Sequence, residues 1–446
     1  MKIKVKNLSY DDVLKLPAYK HKKVAKQSFF FRKLMYTLSK SEVKKVNFTH
    51  TEISMDKLGA KEPALYLMNH SSFIDLSIAS VLINPKPYHI ICTSDGFVGK
   101  EILMRGLGCI PTRKFQTDVA LVKDMQRALK NLKSSVLMYP EASYTFDGCA
   151  TPLPEGLGKF IKLLKVPVVM IKTNGAFLRD PLYNCLQLRK VDVNATMEYI
   201  LSPDDIESMK PSEINELLKK HFTFDNFKFQ QVNHIKVDEP FRADGLNRIL
   251  YKCPCCMTEG NMKGAGITLR CNNCGASYRL DEYGYLCREN TNDTINIATD
   301  TALQDKDISK SDMPEGYDFS HIPDWYRWER DEVRREIKNG TYKLEVPVKI
   351  RMMVNFDAVY EVGDGILTHT VSGFHLTGCD GKLEYFQKSR VSYSLYSDYY
   401  WYELGDMICI GDTNALYYCF PPEDIDVVAK TRLATEEIYK VYFLTL

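Results

Sequence analysis

Short apolar runs and amphipathic runs take turns between residues 51 and 200, and this alternation limits the fold more than any other feature of the chain. Strand-like stretches fall at 64–68, 88–92, 135–139, 167–172 and 195–201, and helical stretches at 75–82, 100–107, 118–132 and 156–164. Parallel strands need crossover connections, so the pattern predicts an α/β domain with a mixed sheet flanked by helices. Asn84-Pro85-Lys86-Pro87 ends the first of those helices, because proline brings no amide donor to the helical ladder.

At the first strand-to-helix junction the chain reads Leu67-Met68-Asn69-His70-Ser71-Ser72-Phe73-Ile74-Asp75. Ser72 followed three residues later by Asp75 has the form of a capping box, which predicts Ser72 as N-cap and a helix starting inside the motif. Five residues on a regular helix leave side chains about 140° apart, so His70 and Asp75 meet only if His70 lies outside the helix and folds back. In that arrangement Asp75 fixes the imidazole tautomer and the other ring nitrogen is free to accept a proton. This is the base half of a hydrolase or transferase site. The plainer alternative is a carboxylate that caps a helix beside a turn histidine.

Three further blocks follow in order: Gly108-Cys109-Ile110-Pro111-Thr112-Arg113, then Tyr139-Pro140-Glu141-Ala142-Ser143, then Val166-Pro167-Val168-Val169. With Asn69-His70 to Asp75 they resemble the four blocks of the glycerolipid acyltransferase family, of the 1-acylglycerol-3-phosphate type, over residues 50–200. The resemblance implies His70 as base and Asp75 as its orienter, with Arg113 and Glu141 binding the glycerol-phosphate part of the acceptor. It also implies an acyl thioester donor, acyl-CoA or acyl-ACP, and a lysophospholipid acceptor. No protein nucleophile is needed, since the thioester is already activated. The third block departs from the family: Ala142-Ser143-Tyr144 stands where Gly-Thr-Arg is expected, so a second phosphate-binding arginine is missing. Lys114, Lys159 and Lys172 are candidates to restore the charge. Two other functions share these residues: a thioester or ester hydrolase using the same pair, and a non-catalytic zinc-containing adaptor.

Cys253 and Cys256 form one Cys-x2-Cys pair, and Cys271 and Cys274 another, with fourteen residues between them. Four thiolates on two knuckles predict a zinc ribbon at 251–286 with a closed, structural Zn2+ site; Cys255 can replace a member of the first pair. Thirteen cysteines, an odd number, point to a reducing compartment rather than a disulfide framework. The ribbon's net charge of +1 is too weak a field for nucleic acid.

Residues 1–50 carry a net +10, so the rest carries −8 of the total of +2. Within 20–38, Val24, Ser28, Phe31, Met35 and Leu38 recur at helical spacing among lysines, and Phe29, Phe30 and Phe31 add aromatic surface. A basic amphipathic helix of this kind can lie on an anionic membrane surface or pack on its own domain. With no run of 18 apolar residues and no secretory h-region, the expected location is cytoplasmic, peripherally membrane-associated on the cytoplasmic face. The remaining segments complete the expected division. The acyltransferase domain spans 51–250, its Phe-rich end at 203–246 carrying no assigned chemistry. A linker and charged helix occupy 287–340. A mostly antiparallel β domain at 341–446, closed by a helix near Pro422, resembles a pleckstrin-homology-type (PH-like) barrel. The sequence does not fix the oligomeric state.

Overall fold

A computed structural model describes residues 2–115, 118–289 and 313–444. Most of the expected linker, 290–312, lies outside the described residues.

The first strands in chain order are β1 (Val5–Asn7), β2 (Thr49–Ile53), β3 (Leu65–Met68), β4 (Tyr88–Thr93), β5 (Cys109–Thr112), β6 (Ser135–Met138), β7 (Val168–Asn174) and β8 (Asn194–Leu201). Seven of them make one sheet in the order β2-β8-β7-β3-β6-β4-β5, parallel except for the β7–β8 pair. All four residues of β3 are buried, as a central strand covered on both faces requires. The expected α/β architecture is therefore present, with helices at Asp75–Ile83, Glu101–Gly106, Val119–Gln126 and Leu157–Leu164 where helical stretches were read. β2 and β5 were not anticipated, for a shared reason. Both are edge strands, the first exposed along its whole length and the second containing Pro111, so neither has the buried apolar run that marks a strand in sequence.

A second sheet, antiparallel in the order β12-β11-β10-β9, comprises β9 (Met262–Ala265), β10 (Thr268–Cys271), β11 (Ser277–Leu280) and β12 (Leu286–Glu289). The third contains β13 (Leu344–Met353), β14 (Val359–Thr370), β15 (Gly373–Gly378), β16 (Leu383–Lys388), β17 (Tyr396–Asp398), β18 (Met407–Gly411) and β19 (Leu416–Phe420), in the order β16-β15-β14-β13-β19-β18-β17. Its strands are antiparallel, as expected, and β1 adds to β14 in parallel, Val5 opposite Val359. The end strands β16 and β17 are not paired with each other among the described residues, so no hydrogen-bonded ladder closes the sheet into the expected barrel. The helix Val428–Tyr439 follows it and packs along the helix Ile322–Lys338.

The N-terminal segment differs from expectation. Its helix runs Phe29–Lys44, not 20–38, and Ser28 caps it by accepting from the Phe31 amide. Residues before it are held by other parts of the fold: the Tyr19 amide donates to Val354 O, and the Val24 amide to Asp124. The Gln27 side chain bridges Leu107 O and the Tyr88 amide. These partners, all distant in sequence, override the local periodicity. Met35, Ser39 and Val43 face inward, whereas Phe29, Phe30, Leu34 and Leu38 face solvent. Phe31 packs onto Gly106, where even a Cβ would lie 2.5 Å from the ring.

The largest apolar core passes from Phe146, Phe177 and Tyr183 through Tyr251, Leu269 and Tyr278 to Trp325, Ile350 and Leu433. Two smaller cores lie on the two faces of the α/β sheet. At a separate junction Tyr396 Oη and Trp401 Nε1, from the third sheet's side, both donate to Asp95 (2.6 and 3.0 Å).

Candidate active site

β3 delivers Asn69 and His70 to its carboxyl end, and the chain is pinned there by Glu141 of the third block and by Ile171 and Thr173 of β7. Asn69 Oδ1 accepts from the Thr173 amide (2.8 Å), and its Nδ2 donates to Thr173 O and Ser71 Oγ. The His70 amide donates to Glu141 Oε2 (3.0 Å), and His70 O accepts from the Thr145 amide. The backbone of the histidine is thus held at one end by the third block and at the other by Thr145 just after it, and its predecessor by β7.

His70 does lie outside the helix and folds back: Nδ1 is 3.1 Å from Asp75 Oδ2. The same oxygen accepts from the Ser71 and Ser72 amides at 2.7 and 3.0 Å, while the buried Oδ1 has no partner among the described residues. Only half of the expected capping box forms: the Ser72 amide donates to the Asp75 carboxylate, but the Asp75 amide goes to Ser72 O and not to the serine hydroxyl. The helix starts at Asp75 without a side-chain cap, and Ser72 instead donates to Asp180, which also pairs with Arg179. The serine oxygen accepts from the Ile74 amide (3.2 Å), which takes the acceptor position that a cap on Asp75 N would use.

The imidazole is sandwiched. Tyr139 stacks on one face at 4.0 Å between centroids and 22°, and Tyr144 at 3.7 Å and 28°; Phe73 packs on Tyr144 in turn. Burial pulls His70 well below the usual imidazole range, and the nearby Lys114 ammonium acts in the same direction. Burial pushes Asp75 up to about 7, opposed by the Ser72 and Ser71 amides. The pair therefore keeps His70 neutral near pH 7, with Nδ1–H turned to the carboxylate and Nε2 able to accept a proton. Hydrogen positions follow here from the partners each nitrogen meets.

Arg113 and Glu141 occupy different settings. Both Glu141 oxygens are used within the protein: Oε2 by His70 N, Oε1 by Thr151 N and Oγ1 (2.8 and 3.0 Å). Burial raises this carboxyl to about 7. Arg113 Nη1 donates to the Thr413 carbonyl between β18 and β19, so the second block is fastened to the third sheet. Lys114, next to it, lies over the Tyr396 ring at 4.1 Å. Of the three lysines considered from sequence, it is the one whose charge acts on His70. Tyr139, Tyr144 and Asp180 carried no signal as neighbours of His70. Tyr144 was visible only as a departure from the family block.

Cys253, Cys256, Cys271 and Cys274 bring their sulfurs within 4.8 Å of one another. Two of the separations, Cys253–Cys274 and Cys256–Cys271, are 3.7 Å. Four thiolates about 2.3 Å from one ion stand about 3.8 Å apart, so the quartet fits a tetrahedral metal. Cys255 Sγ is not among the four converging sulfurs and lies 3.1 Å from Tyr278 Oη.

All of the parts around His70 supplied by the four blocks lie on, or directly beside, residues 33–172, which match the family model Acyltransferase. This portion of the chain is similar to that family. Among solved structures, the chain is similar to the crystal structure of the 1-acyl-sn-glycerophosphate (LPA) acyltransferase PlsC from Thermotoga maritima, at 15% identity and a TM-score of 0.36. The match covers 43% of this chain and 78% of that one. No curated protein matches the chain in sequence.

Proposed function

We propose that the protein moves a fatty acyl group from an acyl thioester to the hydroxyl of a lysophospholipid, in phospholipid synthesis or remodelling. The observation that carries this reading is the His70–Asp75 contact of 3.1 Å, with the imidazole held between two tyrosines inside a portion similar to the acyltransferase family. His70 Nε2 takes the proton of the acceptor hydroxyl as its oxygen attacks the thioester carbonyl. The carbon–sulfur bond then breaks, and the departing thiolate receives that proton from the imidazolium. Asp75 orients the ring and offsets the charge it carries between the two steps.

Glu141 serves this reading by holding the His70 backbone, and the family resemblance assigns Arg113 to the acceptor's phosphate. Lys114 supplies the positive charge that the third block lacks, which favours an anionic head group. The four-cysteine quartet holds a structural Zn2+, whose contribution is to cross-link the two knuckles; four thiolates leave no position for substrate.

The site reaches its lipid from an anionic membrane surface. Among the described residues no helix is long and apolar enough to cross a membrane. The Phe29–Lys44 helix instead presents Phe29 and Phe30, 68% and 67% exposed, with Leu34, Leu38 and four lysines nearby, Lys26, Lys33, Lys40 and Lys44.

The test is incubation with acyl-CoA, and separately acyl-ACP, with and without a mixed pool of lysolipids, read by lipid mass spectrometry. Acyl transfer that needs the lysolipid is expected. Release of free fatty acid regardless of acceptor would identify a hydrolase, and no consumption of either donor would leave a non-catalytic adaptor.

A further inference from the structure

We infer that Arg432, on the helix Val428–Tyr439 and far outside the acyltransferase-like portion, is a positioning residue for His70, acting through the loop that carries Tyr144. The part of this inference that concerns rate rests on the acyl-transfer reading above; the part that concerns geometry does not.

One side chain grips three parts of the loop. Arg432 Nη2 donates to Ser143 Oγ at 2.7 Å and Nη1 to Tyr144 O at 3.0 Å, while the guanidinium carbon lies 4.4 Å from the centre of the Phe146 ring. Arg432 is 3% exposed and is itself oriented from behind. Its Nε points to Glu436 Oε1 at 3.5 Å, and Glu436 is held by Arg330 Nη1 (2.6 Å) and Ser394 Oγ (2.8 Å). The clamp is a buried, charged fork whose two bonds are spent on the loop, and charge-assisted bonds of this kind are the stronger class.

The loop it grips is under strain and sits against the base. Ala142 adopts a φ of +55°, in the left-handed region where the family has glycine. Two residues on, Tyr144 covers one face of His70. The dyad holds the ring at one nitrogen only, so its plane is set by the stack. If Tyr144 drifts, the imidazole can turn about its Cβ–Cγ bond and Nε2 leaves the direction from which it takes the acceptor proton. The arginine missing from the third block has thus been replaced at that block by one from a distant helix, in a different role: it holds the base in place and does not face the acceptor.

The experiment uses the full-length protein with Arg432→Ala, Arg432→Lys and Ser143→Ala. The first readout is the ring-proton NMR signal of His70 in histidine-labelled protein, assigned by its absence in His70→Gln. Stacking between two tyrosines displaces that signal, and in Arg432→Ala it is expected to move toward the unstacked position, recovering in part on addition of guanidinium. The second readout is kinetic: kcat is expected to fall roughly 100-fold in Arg432→Ala, as for a misplacement of about 1 Å, with KM for donor and acceptor changed less than about twofold. Arg432→Lys keeps a charge against Glu436 and loses the fork, so an intermediate kcat at an unchanged melting temperature is expected. Ser143→Ala leaves the Arg432–Glu436 contact intact and guards against a clamp variant that does not fold; it should shift the His70 signal in the same direction by less. An unmoved His70 signal in both alanine variants, or losses of kcat that only track melting temperature, would overturn the inference. If the wild-type protein consumes no thioester, the proposed function fails while the NMR signal still decides the clamp.

Discussion

At the scale of single residues, His70 has both ring faces covered and one nitrogen tied, which leaves Nε2 as its one open position. His70→Ala is expected to lower acyl transfer by roughly 10²–10⁴-fold, the range for a general base, while the protein stays folded. Asp75→Asn should lose less; transfer at the wild-type rate in His70→Ala would exclude the mechanism. The buried carboxylate also makes a prediction about stability. Asp75 titrates near 7 in the folded chain and at 3.8 unfolded, so between those values the native state holds the extra proton. Its contribution to stability is present at low pH and is lost as pH rises through about 7. Asp75→Asn cannot ionise, so its melting temperature relative to wild type should be more favourable at pH 8 than at pH 5; an equal difference at both would contradict the raised value. His70 and Asp75 were legible in the sequence because their contact closes within five residues. Tyr144 became a ring on His70, and Arg432 a clamp on the third block, through contacts that no local pattern records; Arg432 and Tyr144 are 288 positions apart.

At the scale of elements, the Phe29–Lys44 helix shows what periodicity can and cannot say. It located an amphipathic helix but chose the wrong start, because Val24 and Gln27 are taken by Asp124, Leu107 and Tyr88. It also put Leu38 on one face with Met35, whereas the helix buries Met35 and Ser39 and leaves Leu38 exposed. The exposed stripe is therefore Phe30, Leu34 and Leu38, one turn apart, with Phe29 beside it. Phe30→Ser with Leu34→Ser should reduce co-flotation with anionic vesicles without lowering the melting temperature, since neither side chain is buried. Salt should release only part of the wild-type protein, because screening weakens the lysines and not the inserted rings. Wild-type protein that stays out of the vesicle fraction at low salt would rule this attachment out. The four-cysteine element was the most legible of all, since two knuckles at fixed spacing specify their own geometry. Freshly purified protein is expected to carry one zinc per chain, and chelation should unfold the β9–β12 sheet locally, seen as faster amide exchange there. Metal analysis finding none would end that reading.

At the scale of the whole molecule, the five segments read from composition are joined where it matters. The largest core includes Phe146 and Phe177 of the α/β part, Tyr251 and Leu269 of the cysteine-rich segment and Leu433 of the final helix. Composition shifts mark where the sequence changes character, and they do not reveal which apolar faces are shared. A fragment containing only 51–250 is accordingly expected to lack a cooperative melting transition, because a large part of its buried apolar surface would face water; a sharp transition in that fragment would show the segment to be independent.

The parallel pairing of Val5 with Val359 has a consequence in time. Those partners are separated by more than 350 residues, and at ribosomal speeds of about 5–20 residues per second the second follows the first on the order of 20–70 s later. Throughout that interval the β1 strand has nothing to join, and the α/β sheet emerges with the clamp for its catalytic loop not yet made. Each chain therefore gains a partner for β1 only after residue 359 has been made, and the contacts of Arg432 with Ser143 and Tyr144 only after residue 432.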